Sequence, residues 1–245
     1  MEPLVNFTVV GTQKGGTQAL NRFLAEHPEI GMVSPPVIAP HFFDDESFFV
    51  SEPNYSAYHM MYSKRSLELL TGDVTPIYSY WPGAIERIKR YNSRMKIIFL
   101  LRDPVLRAHS HWNMEYSRGD EVYGFLKAIL NEKKRRGAGV HRVYSYLDRG
   151  LYASQIDNLL AHFERNQCLF IRSDELQHSH VDVLTRIFSF LGVSTNHIPE
   201  QRTIHARNYS DMPTWLKFAL KLYYQRDIVT VEKLTQLDLR DWRLF

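Results

Sequence analysis

Lys96-Ile97-Ile98-Phe99-Leu100-Leu101, closed by Arg102-Asp103-Pro104, is the stretch that decides the fold of this 245-residue chain. Its apolar run leaves no polar face, so the segment reads as a strand covered on both sides, as a central parallel strand must be. Asp103-Pro104 then turns the chain into a helix from about Val105 to Tyr116. Phe7-Thr-Val-Val10, ending at Gly11, is a second buried strand, and Cys168-Leu-Phe-Ile171 a third. Between and after them, apolar residues recur at helical spacing. Gln18 to His27 carries Leu20, Phe23 and Leu24 and is stopped by Pro28. Tyr152 to Asn166 carries Ile156, Leu159, Leu160 and Phe163. Gly83 to Tyr91, Val181 to Leu191 (closed by Gly192) and Pro213 to Leu237 are further helices. Val33 to Pro40 holds three prolines and reads as a loop or an extended edge.

Strand, turn and helix repeat in that order. The expectation is an α/β protein: one domain over residues 1–245, with a mostly parallel central sheet flanked by helices. In such sheets a ligand sits beyond the carboxyl ends of the strands, so the residues after Val10, Leu101 and Ile171 are expected to converge on one cleft.

Composition narrows the function classes. Lys plus Arg is 30 against 27 Asp plus Glu, and a net charge of +3 is too small to argue for nucleic acid. The single cysteine, Cys168, excludes an intrachain disulfide framework and a paired-cysteine metal site, is compatible with a reducing compartment, and reads as an inert core residue. Ile97 to Leu101 falls far short of the ~20 residues a membrane span needs, and Met1 to Asn6 is too short for a leader. These features point to a soluble, cytoplasmic protein without a membrane or nucleic-acid partner, its oligomeric state left open.

Two motifs carry chemistry. Gly11-Thr-Gln-Lys14-Gly15-Gly16-Thr17 joins the first strand to the first helix. Gly15 and Gly16 let backbone N–H groups approach an anion, the helix N-terminus adds partial positive charge, Lys14 a full charge and Thr17 a hydroxyl: a phosphate cradle, against the competing structural reading of a glycine turn with a surface lysine. It is not the nucleotide-triphosphatase loop, whose lysine follows the last glycine. The second motif is Arg102-Asp103-Pro104 with Ser110 eight residues after the arginine, a pair able to grip another phosphate. Arg102 pairing with Asp103, or capping a helix, is the competing structural reading.

Taken together the motifs resemble the sulfotransferases that use 3′-phosphoadenosine 5′-phosphosulfate. Pro40-His41-Phe42-Phe43-Asp44, Gly72-Asp73-Val74-Thr75-Pro76-Ile77-Tyr78, Arg149-Gly150-Leu151-Tyr152 and the stretch from Tyr223 to Trp242 are similar to recurring segments of that family. The resemblance runs from about residue 7 to 242 and is nearest the bacterial and heparan sulfate-type branch. It implies transfer of a sulfuryl group to a hydroxyl or amine of a small-molecule or sugar acceptor, with 3′,5′-bisphosphoadenosine as product and no metal. It implies that Lys14 meets the bridging oxygen of the leaving phosphate and that Gly15, Gly16, Thr17 and the adjacent Gln18 hold that phosphate. Arg102 and Ser110 would bind the 3′-phosphate, and Arg207 would contact the nucleotide from the stretch Arg202 to Ser210.

The acceptor side departs from the family. The glutamate usual two residues before His-Phe-Phe is Ala39, with Ile38 beside it, and Val74 stands where some members carry lysine. His41 is the favoured base, because its pKa lies near working pH; Asp44 or Asp73 would help or replace it. His41, Asp44 and Tyr78 are the expected acceptor contacts, with Tyr80 and Trp81 either lining a pocket or lying in the core. Two other readings stay open: a P-loop nucleotide kinase, which would need magnesium, and a sulfotransferase-like protein that binds nucleotide with impaired turnover because of Ala39. Lys133-Lys-Arg-Arg136 reads as a solvated helix end before an anionic-acceptor grip, and His178-Ser-His180 as a solvated loop before a metal site.

Overall fold

The computed structural model describes residues 4–35, 37–63, 66, 68–137, 139–202 and 211–244. In chain order the elements are β1 (Phe7–Gly11), α1 (Thr17–Ala25), β2 (Ile30–Met32), α2 (Tyr55–His59), β3 (Leu70–Val74), α3 (Ala84–Tyr91) and β4 (Lys96–Leu101). Then come α4 (Pro104–Arg118), α5 (Phe125–Leu130), α6 (Glu132–Arg136), α7 (Tyr152–His162), β5 (Cys168–Arg172), α8 (Glu175–His178), α9 (His180–Leu191) and α10 (Thr214–Thr235). Internal contacts group the chain into two compact units: residues 1–101 with 158–204, and residues 102–157 with 205–245.

The first unit holds the sheet. Its strand order is β2-β3-β1-β4-β5 and every pairing is parallel. β4 is buried along its apolar length, as its sequence requires. Alternate residues serve opposite faces. Phe7, Val9, Ile98, Leu100 and Ile171 join Leu20, Phe23 and Leu24 of α1 and Val183, Leu184, Ile187 and Phe188 of α9 in one apolar cluster. Truncating such a residue, Ile98→Ala for instance, costs about 2–5 kcal/mol.

β2 and β3 are absent from the sequence reading, and the reason is local. Ile30-Gly-Met32 is too short to show a period, and Leu70-Thr-Gly-Asp-Val74 holds Gly and Asp, both depleted in strands. Contacts distant in sequence override that preference. A Cβ on Gly72 would lie 2.0 Å from the Phe7 ring, so glycine is what admits that ring between β1 and β3.

The second unit is helical. Asp103 caps α4, its carboxylate accepting from the Val105 and Leu106 N–H groups at 2.8 and 3.1 Å, with Pro104 at the first helical position. Asp227 of α10 accepts from the Tyr152 and Ala153 N–H groups at the start of α7. Glu132 accepts from the Leu147 and Asp148 N–H groups. Arg107 is fully buried and donates to the Tyr146 carbonyl.

Candidate active site

β1 and β4 are neighbours, and their outgoing connections lead to strands on opposite sides of them, the arrangement that opens a crevice at strand ends. The Thr12 N–H donates to Leu100 O at 2.8 Å, and the Gly15 N–H closes back on Thr12 O at 2.8 Å. Lys14 (φ 68°) and Gly16 (φ 86°) lie in the left-handed region, so the chain turns sharply twice before α1 begins. A Cβ on Gly15 would meet Thr12 Cγ2 at 2.8 Å and Thr12 O at 2.9 Å, which excludes a side chain there. Gly16 is the N-cap of α1, and no side chain caps that end among the described residues. The first N–H groups of a helix have no partner within it and favour an anion. Thr17 is buried, Lys14 half-buried, Gly16 and Gln18 exposed. The residues fit a phosphate group.

The segment before α2 is built differently. His41 also has positive φ (52°), unusual for a residue with a side chain. Its Nδ1 lies 3.0 and 3.1 Å from the two carboxylate oxygens of Asp44. The His41 side chain is 49% exposed and that of Asp44 0%. A buried carboxylate thus fixes one ring nitrogen, selecting the tautomer with the proton on Nδ1 and leaving Nε2 basic, the arrangement of a general base and its orienting acid.

Two of the expected acceptor contacts have buried partners within the protein. The Asp44 carboxylate is buried against His41. Tyr78 is fully buried. Its hydroxyl donates to Asp73 at 3.0 Å and accepts from the Phe42 N–H at 3.2 Å, so it supports the loop instead of lining a pocket. Asp73 is likewise fully buried and accepts from Tyr58 (2.8 Å) and Thr75 (2.7 Å) as well, which removes it as a replacement base. Burial pushes its carboxyl up to about 6, against the pull of those hydroxyls. Sequence reasoning did not find Tyr58, because nothing near it in the chain marks it.

In the second unit, Arg102 is half-buried at the entrance to α4, its carbonyl accepting from Tyr152 OH at 2.9 Å. Ser110 lies two turns into α4 and is 3% exposed. The competing role given to Arg102, that of a cap, belongs to Asp103. Arg207 lies outside the described residues.

The remaining candidates resolve into structure. Arg135 pairs with Glu121 at 2.6 Å and stacks on Tyr144 at 3.6 Å, and Arg136 pairs with Asp148 at 2.6 Å. Of the basic run, Lys133 and Lys134 are exposed. His180 is not in a solvated loop: it opens α9, buried, edge-on to Phe23 and bonded to Pro199 O at 2.8 Å. Cys168 is buried in β5, its thiol pushed up to about 11 by desolvation.

Residues 6–214 match the family model for the sulfotransferase domain. The chain is 32% identical over 187 residues to mouse heparan sulfate glucosamine 3-O-sulfotransferase 3A1, covering 76% of this chain and 45% of that protein. It is 31% identical over 186 residues to the human 3B1 enzyme of the same name, again covering 76% and 45%. The chain therefore spans less than half the length of these curated relatives. Among solved structures, a sulfotransferase from Alicyclobacillus acidocaldarius superimposes with a TM-score of 0.85 at 28% identity, covering 97% of this chain and 98% of that one. The sulfotransferase domain of the curacin biosynthetic pathway shares the fold, with a TM-score of 0.56 at 17% identity over 79% of this chain and 76% of that one. Among the described residues no helix is long and apolar enough to cross a membrane.

Proposed function

The chain belongs to the sulfotransferase family, and from that premise we propose that it moves a sulfuryl group from 3′-phosphoadenosine 5′-phosphosulfate to a hydroxyl or amine of a sugar or small-molecule acceptor. The observation that carries the reading is the loop from Gly11 to Thr17: two turns at positive φ, a glycine that admits no side chain, and an uncapped helix N-terminus next to Lys14. Such a loop supplies fixed dipoles and one cation where the phosphate leaves, and positioned electrostatics of this kind supply most of the rate in group transfer of this type.

The roles follow from the residues. Lys14 stabilises charge on the bridging oxygen as the S–O bond breaks. Gly15, Gly16, Thr17 and Gln18 hold the 5′-phosphate, and Arg102 and Ser110 take the 3′-phosphate. His41, oriented by Asp44, removes the acceptor proton through Nε2, so Ala39 does not deprive the chain of a base. The whole chain acts as one sulfotransferase domain, and the cytoplasm is its site of action, supported by the single, buried cysteine. The named relatives act on heparan sulfate glucosamine; a hexosamine-containing oligosaccharide heads the acceptor panel, with simple phenols and amines behind it. Family membership replaces the kinase reading, and the Asp103 carboxylate caps α4.

The test is calorimetric titration with 3′,5′-bisphosphoadenosine, with ADP plus magnesium as control, followed by transfer of labelled sulfuryl to the panel in the presence of a chelator. Binding that needs the 3′-phosphate and drops in Arg102→Ala is the expected result. Preference for ADP with magnesium would overturn the proposal.

A further inference from the structure

Asp73 is a fully buried acid whose hydrogen-bonding partners in turn contact the segment bearing His41. It lies in β3, and Oδ2 accepts from Tyr58 OH at 2.8 Å and Tyr78 OH at 3.0 Å while Oδ1 accepts from Thr75 at 2.7 Å. A hydroxyl that donates to a carboxylate has its lone pairs aimed elsewhere. Those of Tyr78 receive the Phe42 N–H at 3.2 Å and, at a longer 3.5 Å, that of Phe43. The rings reinforce the backbone. Phe42 stacks on Tyr58 with centroids 4.9 Å apart at 23°, and Phe43 sits edge-on to Tyr58 at 5.1 Å and to Tyr78 at 5.5 Å. So the two tyrosines that Asp73 aligns hold Phe42 and Phe43 through main chain and ring together. His41 precedes them with φ 52°, a conformation that persists only where the surroundings impose it.

We propose that Asp73 is a positioning residue: through Tyr78 and Tyr58 it fixes the Phe42-Phe43 backbone and thereby the orientation of the His41 imidazole. The proposal deepens, and rests on, the assignment of His41 as the base. The ionised form is the one the geometry requires, since all three neighbours can donate to it at once. Protonation turns one oxygen into a donor, and one tyrosine hydroxyl must then give up its place. The other titratable groups coupled to this centre are Tyr58 and Tyr62 on one side, Tyr91 of α3 on another, and His41 with Asp44 above.

The test uses the full chain labelled with carbon-13 and nitrogen-15. The His41 imidazole signal is assigned by its loss in His41→Gln and followed through a pH titration, and exchange of the Phe42 and Phe43 amide protons is read on the same samples. Asp44→Asn sets the scale: removing the direct carboxylate partner displaces the His41 ring signal. Tyr78→Phe keeps both carboxylates and every ring contact, so it folds where Asp73→Asn fails to. It is expected to move the His41 signal and to speed exchange at Phe42 and Phe43 about ten-fold, the loss of one buried hydrogen bond. Affinity for 3′,5′-bisphosphoadenosine should stay at the wild-type value. Asp73→Asn, where it folds, should reproduce those changes and displace the His41 signal by a fraction of the Asp44→Asn displacement. A fall in melting temperature with the His41 signal and the Phe42 and Phe43 exchange unchanged in Tyr78→Phe would reduce Asp73 to a structural acid and overturn the proposal. Failure of the base assignment shows elsewhere, as full turnover in His41→Ala.

Discussion

The loop from Gly11 to Thr17 and the segment from Pro40 to Asp44 both use positive-φ backbone, at Lys14 and Gly16 in one and at His41 in the other. They use it for opposite ends. In the first, the proposed anion contact falls to the backbone itself: a side chain is excluded at Gly15, and no side chain caps the N–H groups opening α1. In the second, the backbone is scaffolding for one imidazole, and what holds it is a set of buried side chains from β3, α2 and the turn after β3. A backbone site is carried by contiguous residues. A side-chain site depends on partners about 15 to 35 positions away. The first therefore tolerates change outside its motif, and the second is sensitive to it.

The sharpest way to break that contrast is at Lys14 and His41. Lys14→Ala removes a cation aimed at developing negative charge and is expected to lower turnover about 10³-fold while weakening bisphosphoadenosine binding. His41→Ala is expected to cost about 10² in turnover and to leave donor affinity unchanged. Transfer assays paired with calorimetry read both quantities, and equal loss of donor binding in the two variants would erase the distinction.

A smaller effect separates glycine from glycine. Gly15→Ala forces a methyl against Thr12 at 2.8–2.9 Å, an overpacking of about 1–3 kcal/mol, so calorimetry should show the donor bound roughly ten-fold or more weaker. Gly16→Ala meets nothing within 4 Å and bears only the cost of positive φ, about 1 kcal/mol, so it should bind less than ten-fold weaker. Equal losses would mean that the loop relaxes freely around position 15.

The last contrast is read in stability. Asp73 stands at about 6 in the fold against 3.8 ordinarily, raised first by burial. A raised carboxyl means the folded state binds more protons than the unfolded one between those two values. Its contribution is therefore kept below about pH 4 and lost as pH rises to about 6, on the order of 3 kcal/mol. Melting temperature against pH, as the difference between wild type and Asp73→Asn, should slope downward in that window and be flat above it. An upward slope would place the acid among ordinary stabilised carboxylates.

Sequence alone determined the α/β class, three of the five strands and the glycine turn after β1, because each is written in neighbouring residues. Two-sided apolarity from Ile97 to Leu101 demands cover on both faces, and Gly15-Gly16 between a strand and a helical run marks a tight turn. Tertiary structure alone decided the rest. β3 forms despite Gly72 and Asp73, because Phe7 fills the space a side chain would take and three hydroxyls meet the carboxylate. Tyr78 and Asp44, read from the chain as ligand contacts, are both buried, Tyr78 on the Asp73 carboxylate and Asp44 on the half-exposed His41 ring. The periodicity that reveals strands and helices is a property of one chain segment. The polar network behind His41 draws on four segments, and a buried polar group is stable only where all its partners arrive together, which the fold arranges and no local pattern records.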